Sequence, residues 1–160
     1  MSAMSSRSHD SGASSRVAQA LTVRARDRQS AFIDVVEGID YVFTARGWWV
    51  DFYIPCGADG YDAWWLRDYE KSRIIPGANW FALIAIWERG EGDAFVVGRH
   101  LPWHASRSGR LALCANDIPA MYWNNWGSLE VSLAETRLRR IVAQGMPRPT
   151  TRLRTGGSSR

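Results

Sequence analysis

The chain has 160 residues, 46% of them hydrophobic and nine of them Trp, which gives one domain of ordinary size an ample core. Its formal charge of +4 is split: residues 1–30 carry five Arg against two Asp, residues 31–136 carry eight Arg or Lys against 14 acids, and residues 137–160 carry seven Arg and no acid. The acidic middle disfavours nucleic acid as a partner of the folded part and suits a cation, while the basic ends leave contact with polyanions open.

Cys56 and Cys114 are the only cysteines, too few for a disulfide framework. They are either one pair or two buried thiols. Residues 1–16, mostly Ser, Arg, Gly and Ala, lack the apolar core of a secretory signal. The longest apolar run, residues 80–87, falls far short of the roughly 20 residues of a membrane helix. The expectation is a soluble, cytoplasmic chain without a membrane span, or one released without a visible signal peptide.

Residues 1–30 are rich in Ser and Arg and poor in large apolar side chains, so a disordered tail is expected there, with at most a fleeting helix over residues 18–28. From Ala31 the texture changes. Phe32, Val35 and Val36 suggest a first strand or edge ended by Gly38, and residues 41–48 are a second β-rich run leading into Gly47-Trp48-Trp49. Two Gly and two Asp in residues 56–62 mark a turn. Beyond it, Tyr61, Trp64, Trp65 and Tyr69 have the spacing of one helix face, whose plainest role is core packing.

Residues 80–87, Trp-Phe-Ala-Leu-Ile-Ala-Ile-Trp, form a continuous apolar run bounded by Gly and Pro, which favours a central strand buried on both faces. Residues 94–98 follow after a Gly-rich turn as its hairpin partner, and residues 111–114 and 128–133 are two more strands. At least five short strands without a long amphipathic helix predict an all-β fold, a small antiparallel β-sandwich over residues 31–136. Residues 137–160 are expected to be a basic C-terminal tail.

Between the last two strands lies Asn116-Asp117-Ile118-Pro119-Ala120-Met121-Tyr122-Trp123-Asn124-Asn125-Trp126-Gly127. Asp117, Asn124 and Asn125 are oxygen donors, and the turn near Met121 offers a carbonyl. Calcium takes about 6–8 such oxygens. One carboxylate is too little charge for a closed protein cage, so external donors such as vicinal sugar hydroxyls are called for. The plainer alternative is a polar turn in which Asn and Asp bond their own backbone.

The pattern Asn-Asp-Ile-Pro-x-x-Tyr-x-Asn-Asn-x-Gly-Ser, followed by alternating Leu129, Val131 and Leu133, resembles the calcium loop and last strand of the PA-I type galactophilic lectins, the LecA-like family. It departs from that pattern at Ala120, Trp123 and Trp126, where the family has small residues, and at Met121, where it has Thr. The resemblance implies a jelly-roll or galactose-binding-domain-like sandwich and a calcium-dependent, galactose-type lectin without catalysis, a possible homo-oligomer. It also implies side-chain calcium ligands Asp117, Asn124 and Asn125, with backbone carbonyls from Met121 and from Asp51, which follows the Gly47-Trp48 pair. The implied sugar contacts are Asp51, Asp62, Asp117, Ile118, Met121, Asn124 and Asn125.

Other motifs carry less. His100 and His104 have a zinc spacing only on a helix, which Pro102 opposes. Asp59 with Asp62, or Glu88 with Glu91, are better read as surface acids than as a glycosidase pair. The alternative function is association with a polyanion or nucleic acid through Arg-rich ends on a degenerate lectin scaffold.

Overall fold

The computed structural model describes residues 15–88 and 93–136. Among them nine strands pair, all antiparallel: β1 (Ser15–Arg24), β2 (Ala31–Val35), β3 (Asp40–Asp51), β4 (Ile54–Cys56), β5 (Leu83–Trp87), β6 (Ala94–Val96), β7 (His100–His104), β8 (Gly109–Ala115) and β9 (Trp126–Thr136). One sheet runs β1-β9-β3, and the free edge of β3 is shared by β7 near its start and β4 at its end. The other runs β2-β8-β5-β6. The expected antiparallel sandwich is the observed fold class.

Alternation places the core between the sheets. In β2, Ala31, Ile33 and Val35 are buried while Phe32 and Asp34 face out. Ile33 joins Phe43, Trp49, Leu83, Leu113, Leu129 and Leu133 in the main core. The run expected as a doubly buried strand is β5, though it starts at Leu83. Leu83, Ala85 and Trp87 enter the main core, while Ile84 packs on its other face with Cys114 and Tyr122, beneath Ile74 and Ile75. Cys56 and Cys114 are both buried and free, which resolves the two readings of the cysteines.

The structure departs from the sequence reading in three places. The sandwich starts before Ala31: part of the stretch expected to be an unstructured tail is β1, paired along β9 from Ser15 to Arg24. Leu21 and Val23 alternate with polar neighbours and Val23 is fully buried, a period-2 signal diluted by the Ser- and Arg-rich residues around it. Gln19 ties β1 to the other sheet through two hydrogen bonds with the Asp34 backbone, at 2.6 and 2.9 Å. The first part, residues 1–14, of the tail expected over residues 1–30 and the tail expected over residues 137–160 lie outside the described residues.

Second, residues 100–104 form a strand, β7. Pro102 sits there opposite Val42 on an outer strand, where a missing N–H is tolerated. Third, the aromatic stretch after Tyr61 forms a 3-10 helix, Trp64–Ser72, with no buried residue. Its aromatics therefore point outward and do not join the core. No helix among the described residues is long and apolar enough to cross a membrane.

Gly60 joins this outer segment to the sandwich. Beside it Tyr61 and Trp80 exchange two backbone hydrogen bonds, 2.8 and 2.9 Å long. Gly60 has φ +67, and a Cβ there would lie 2.1 Å from the Trp80 carbonyl oxygen and 2.4 Å from the Ala82 nitrogen. A side chain meets both backbone strain and a collision it cannot escape. Gly60→Ala is expected to lower unfolding free energy by about 2–4 kcal/mol in urea denaturation. Gly57→Ala, with nothing within 4 Å of the added carbon, should stay within about 1 kcal/mol of the parent. Equal stability of the two variants would refute this role for Gly60.

Candidate functional site

The loop between β8 and β9 is bolted down before it reaches its polar residues. The Asn116 N–H donates to the Ala82 carbonyl at 2.8 Å, and its own carbonyl accepts from the Phe81 N–H at 3.0 Å. The fully buried Asn116 amide accepts from the Ile75 N–H and donates to the Ile75 and Asn79 carbonyls, so it is satisfied and structural. The Tyr122 hydroxyl reaches back to the Ala115 carbonyl. A turn follows, with Met121 N–H donating to the Ile118 carbonyl and Asn124 N–H to the Met121 carbonyl. Ala120, Trp123 and Trp126 all keep ordinary backbone conformations, because Phe52 and Phe81 are the non-glycine residues with positive φ. The side chains replacing the family's small residues are accommodated without left-handed backbone.

Asp117 is 2% exposed. Its Oδ1 accepts from the Ile118 N–H at 2.6 Å and its Oδ2 from the Asn125 side-chain amide at 2.8 Å. Neither Asp117 nor Asp51 forms an ion pair among the described residues. Burial pushes the Asp117 carboxyl up to about 6, the Asn125 hydrogen bond opposes that shift, and the Asp51 charge adds to it. Asp51 is half-buried, accepts at Oδ2 from the Tyr61 hydroxyl at 2.5 Å, and is likewise raised by burial. The two carboxylates are thus both desolvated and not paired with a cation among the described residues, while the nearby Arg26 guanidinium donates to the Asn125 carbonyl at 3.3 Å.

The amide oxygens of Asn124 and Asn125 complete the pattern. Both are buried and neither has a hydrogen-bond donor; with the Thr136 hydroxyl they are the buried side-chain polar atoms left unpaired among the described residues. A buried acceptor without a partner costs about 1–3 kcal/mol, so two in adjacent residues beside an uncompensated carboxylate need a common explanation.

A pocket of about 530 Å³ opens over this cluster. Asp51, Asp117, Ile118, Met121 and Asn124 line it; Asn125 does not line it and is hydrogen-bonded to Asp117. Asp62 does not face it: that side chain is exposed and lines a separate cleft with Arg67, Glu70 and Arg73, because the chain after Gly60 turns outward into the 3-10 helix. The sequence reading missed Phe52 and Tyr53, which form the two-residue turn between β3 and β4. No Gly, Asn or Pro marks that turn, and Phe52 takes φ +52. Tyr61 and Tyr69 were legible only as one side of a helix. Trp126 stays outside, its indole N–H donating to the Phe52 carbonyl at 3.4 Å, and Trp123 is exposed at the rim, so neither plugs the opening.

The donor set suits a hard cation. No group of three or more His, Cys, Asp or Glu that could hold a metal ion occurs among the described residues. One buried carboxylate, two unpaired amide oxygens and nearby carbonyls are the oxygen donors here that could hold such a cation. His100 and His104 are four residues apart on a strand, roughly 13 Å, and the His104 Nδ1 lies 2.8 Å from Asp40 Oδ1. Asp59 is engaged by the Arg99 backbone and guanidinium, so it too is structural.

No family model matches the chain, and no curated protein matches it. Among solved structures it is similar to the N-terminal domain of EclA, a PllA-like lectin, with a TM-score of 0.55 and 17% sequence identity, over 74% of this chain and 97% of that one. At such identity the likeness is one of fold. The two-sheet sandwich that carries Asp117, Asn124 and Asn125 thus shares its fold with that domain.

Proposed function

We propose that this protein is a calcium-dependent carbohydrate-binding protein, a lectin of galactose-type specificity that breaks no bond. The observation that carries the reading is the pair of unpaired, buried amide oxygens of Asn124 and Asn125 beside the uncompensated Asp117 carboxylate. The lectin fold of the similar EclA domain supports it.

Each residue has a separate task in this reading. Asp117 provides the negative charge, and its hydrogen bonds to Ile118 and Asn125 hold the carboxylate in one orientation. Asn124 and Asn125 give their side-chain oxygens, and Asp51 and Met121 their main-chain carbonyls. Calcium, when bound, would neutralise this cluster and leave positions for two vicinal sugar hydroxyls. The Asp117 carboxylate and the Asn124 amide accept or donate to those hydroxyls and read their stereochemistry. Ile118, Met121 and the indole of Trp123 exclude water from the apolar face of the ring. The other reading, polyanion binding through Arg-rich ends, falls mainly on residues 137–160, outside the described residues, and nothing in the folded part favours it.

Calorimetric titration with calcium, then with methyl galactoside, is expected to give one cation site and sugar binding that vanishes in chelator. Asp117→Ala should abolish both heats, and Asn124→Ala should weaken calcium at least about tenfold. Met121→Ala, which keeps the carbonyl, should hold calcium affinity within about threefold. Folded protein that takes up neither ion nor sugar would refute the reading.

The raised carboxyl of Asp117 sets a pH dependence. Its folded value of about 6 lies above the ordinary carboxylate value of 3.8, so the metal-free folded state holds a proton that the unfolded chain has released. Metal-free stability is therefore expected to fall, by ~1–3 kcal/mol from this group, as pH rises from about 4 to about 6, and to stay low above that. Calcium needs the ionised form, so its affinity should rise across the same window and level off near pH 7. In thermal melts the calcium-induced rise in Tm should be larger at pH 7 than at pH 5, and Asp117→Asn should remove the difference. A calcium effect independent of pH would contradict this.

A further inference from the structure

Cations meet aromatic rings in one recurring arrangement in this protein. The Arg73 guanidinium carbon lies 4.4 Å from the centre of the Trp80 ring, while its Nη2 is 3.1 Å from Glu70 Oε1. Arg107 stands 4.2 Å over Trp87 and 2.9 Å from Asp93, and Arg110 stands 5.8 Å over Phe32 and 3.0 Å from Asp34. Each time one cation serves both a carboxylate and an aromatic face, whose quadrupole attracts it.

The pocket beside the Asp117 loop has the carboxylates and the rings of that arrangement but no cation from the chain. Asp51 and Asp117 line it with seven aromatic side chains, and no Lys, Arg or His does. Asp51 is half-buried; its Oδ2 accepts from the Tyr61 hydroxyl, and among the described residues its Oδ1 accepts no hydrogen bond and it forms no ion pair. Trp65 and Tyr69 from the 3-10 helix, and Phe52 and Tyr53 from the β3–β4 turn, are all exposed. Large aromatic side chains left in water around one opening mark a binding surface. Apart from Asp51, Asp117 and Asn124, every side chain of the lining is aromatic or apolar. A primary ammonium is strongly hydrated and loses that water against such a wall. A methylated ammonium spreads its charge over methyl groups that pack directly on aromatic faces.

We infer that this pocket binds a methylated ammonium, a choline-like cation, with Asp51 as its counter-charge and Trp65, Tyr69, Phe52 and Tyr53 as its aromatic enclosure. This goes beyond the lectin reading, because it requires no metal ion and neither amide oxygen of Asn124 and Asn125. Asp51 supplies the charge that selects a cation over a neutral ligand of the same shape, and the rings select the alkylated cation over a hydrated one. Two sources share this chemistry: a free choline-like cation, and the choline headgroup of a lipid bilayer.

The test titrates the full chain, in chelator, with choline, ethanolamine and dimethylbutanol, the uncharged carbon analogue of choline, read by calorimetry and tryptophan fluorescence. Choline is expected to bind at least about tenfold more tightly than either of the others. Asp51→Asn, which keeps an acceptor for the Tyr61 hydroxyl, should lose about tenfold in choline affinity and hold dimethylbutanol within about twofold. Trp65→Ala and Tyr69→Ala, both at exposed positions, should each weaken choline about fivefold. Dimethylbutanol or ethanolamine binding as tightly as choline overturns the inference, and so does choline binding that Asp51→Asn leaves unchanged. Co-sedimentation with phosphatidylcholine vesicles separates the sources. Choline binding with vesicle binding supports the headgroup, and choline binding without it supports the free cation. Vesicle binding without choline binding, or no binding in either arm, overturns the inference. Because chelator is present throughout, failure here leaves the lectin reading standing, and failure to take up calcium or galactoside leaves this inference standing.

Discussion

A carboxylate taken out of water without a positive partner is the constraint around which this protein is arranged. Asp117 is almost fully buried, its two oxygens accept one hydrogen bond each, and no cationic side chain among the described residues pairs with it. Isolated, such a group shifts its proton equilibrium toward the neutral acid, and burial pushes this carboxyl up to about 6. Asn124 and Asn125 add two side-chain oxygens that no donor among the described residues satisfies. In the function proposed above, a hard divalent cation would relieve both deficits together.

The remainder of the fold holds that point rigid. β8 delivers the loop and β9 carries it away, while Asn116 spends its whole amide on Ile75 and Asn79 and so pins the outer segment against the loop. Phe81 adopts φ +61 yet is fully buried against Trp49, ring centres 5.2 Å apart. Left-handed backbone at a bulky residue costs about 1–2 kcal/mol, which burial of the phenyl ring, roughly 1.5–3 kcal/mol, offsets. On the far side, Tyr61 hydrogen-bonds Asp51, and the Gly60 turn places that tyrosine. The floor of the site is stiff, whereas its aromatic walls are exposed, a division suited to a fixed polar contact and an adaptable apolar one.

Much of this was legible in the residues. Alternation in β2 and the continuous apolar run of β5 reveal strands directly, since burial on one face or two writes itself into the pattern. The Asn116–Asn125 loop was legible because several donor types recur at fixed spacing. β1 was hidden by a Ser- and Arg-rich context, and β7 by Pro102 and two histidines that suggest something else. The resemblance placed Asp62 at the sugar, but in the structure it precedes the 3-10 helix and lines a neighbouring cleft. The unpaired state of the two asparagine oxygens has no trace in a sequence: it depends on which donors the folded chain fails to bring within reach. Nor does helical spacing tell whether Trp65 and Tyr69 face a core or a pocket, because the same periodicity serves both.

The central claim is that these oxygens form one cation site, and a crystal structure of the protein grown in millimolar calcium tests it most directly. One ion is expected at roughly 2.3–2.6 Å from Asp117, the Asn124 and Asn125 side-chain oxygens, and the Asp51 and Met121 carbonyls, with open positions facing the pocket. An empty loop in which ordered water satisfies both amides would contradict the claim.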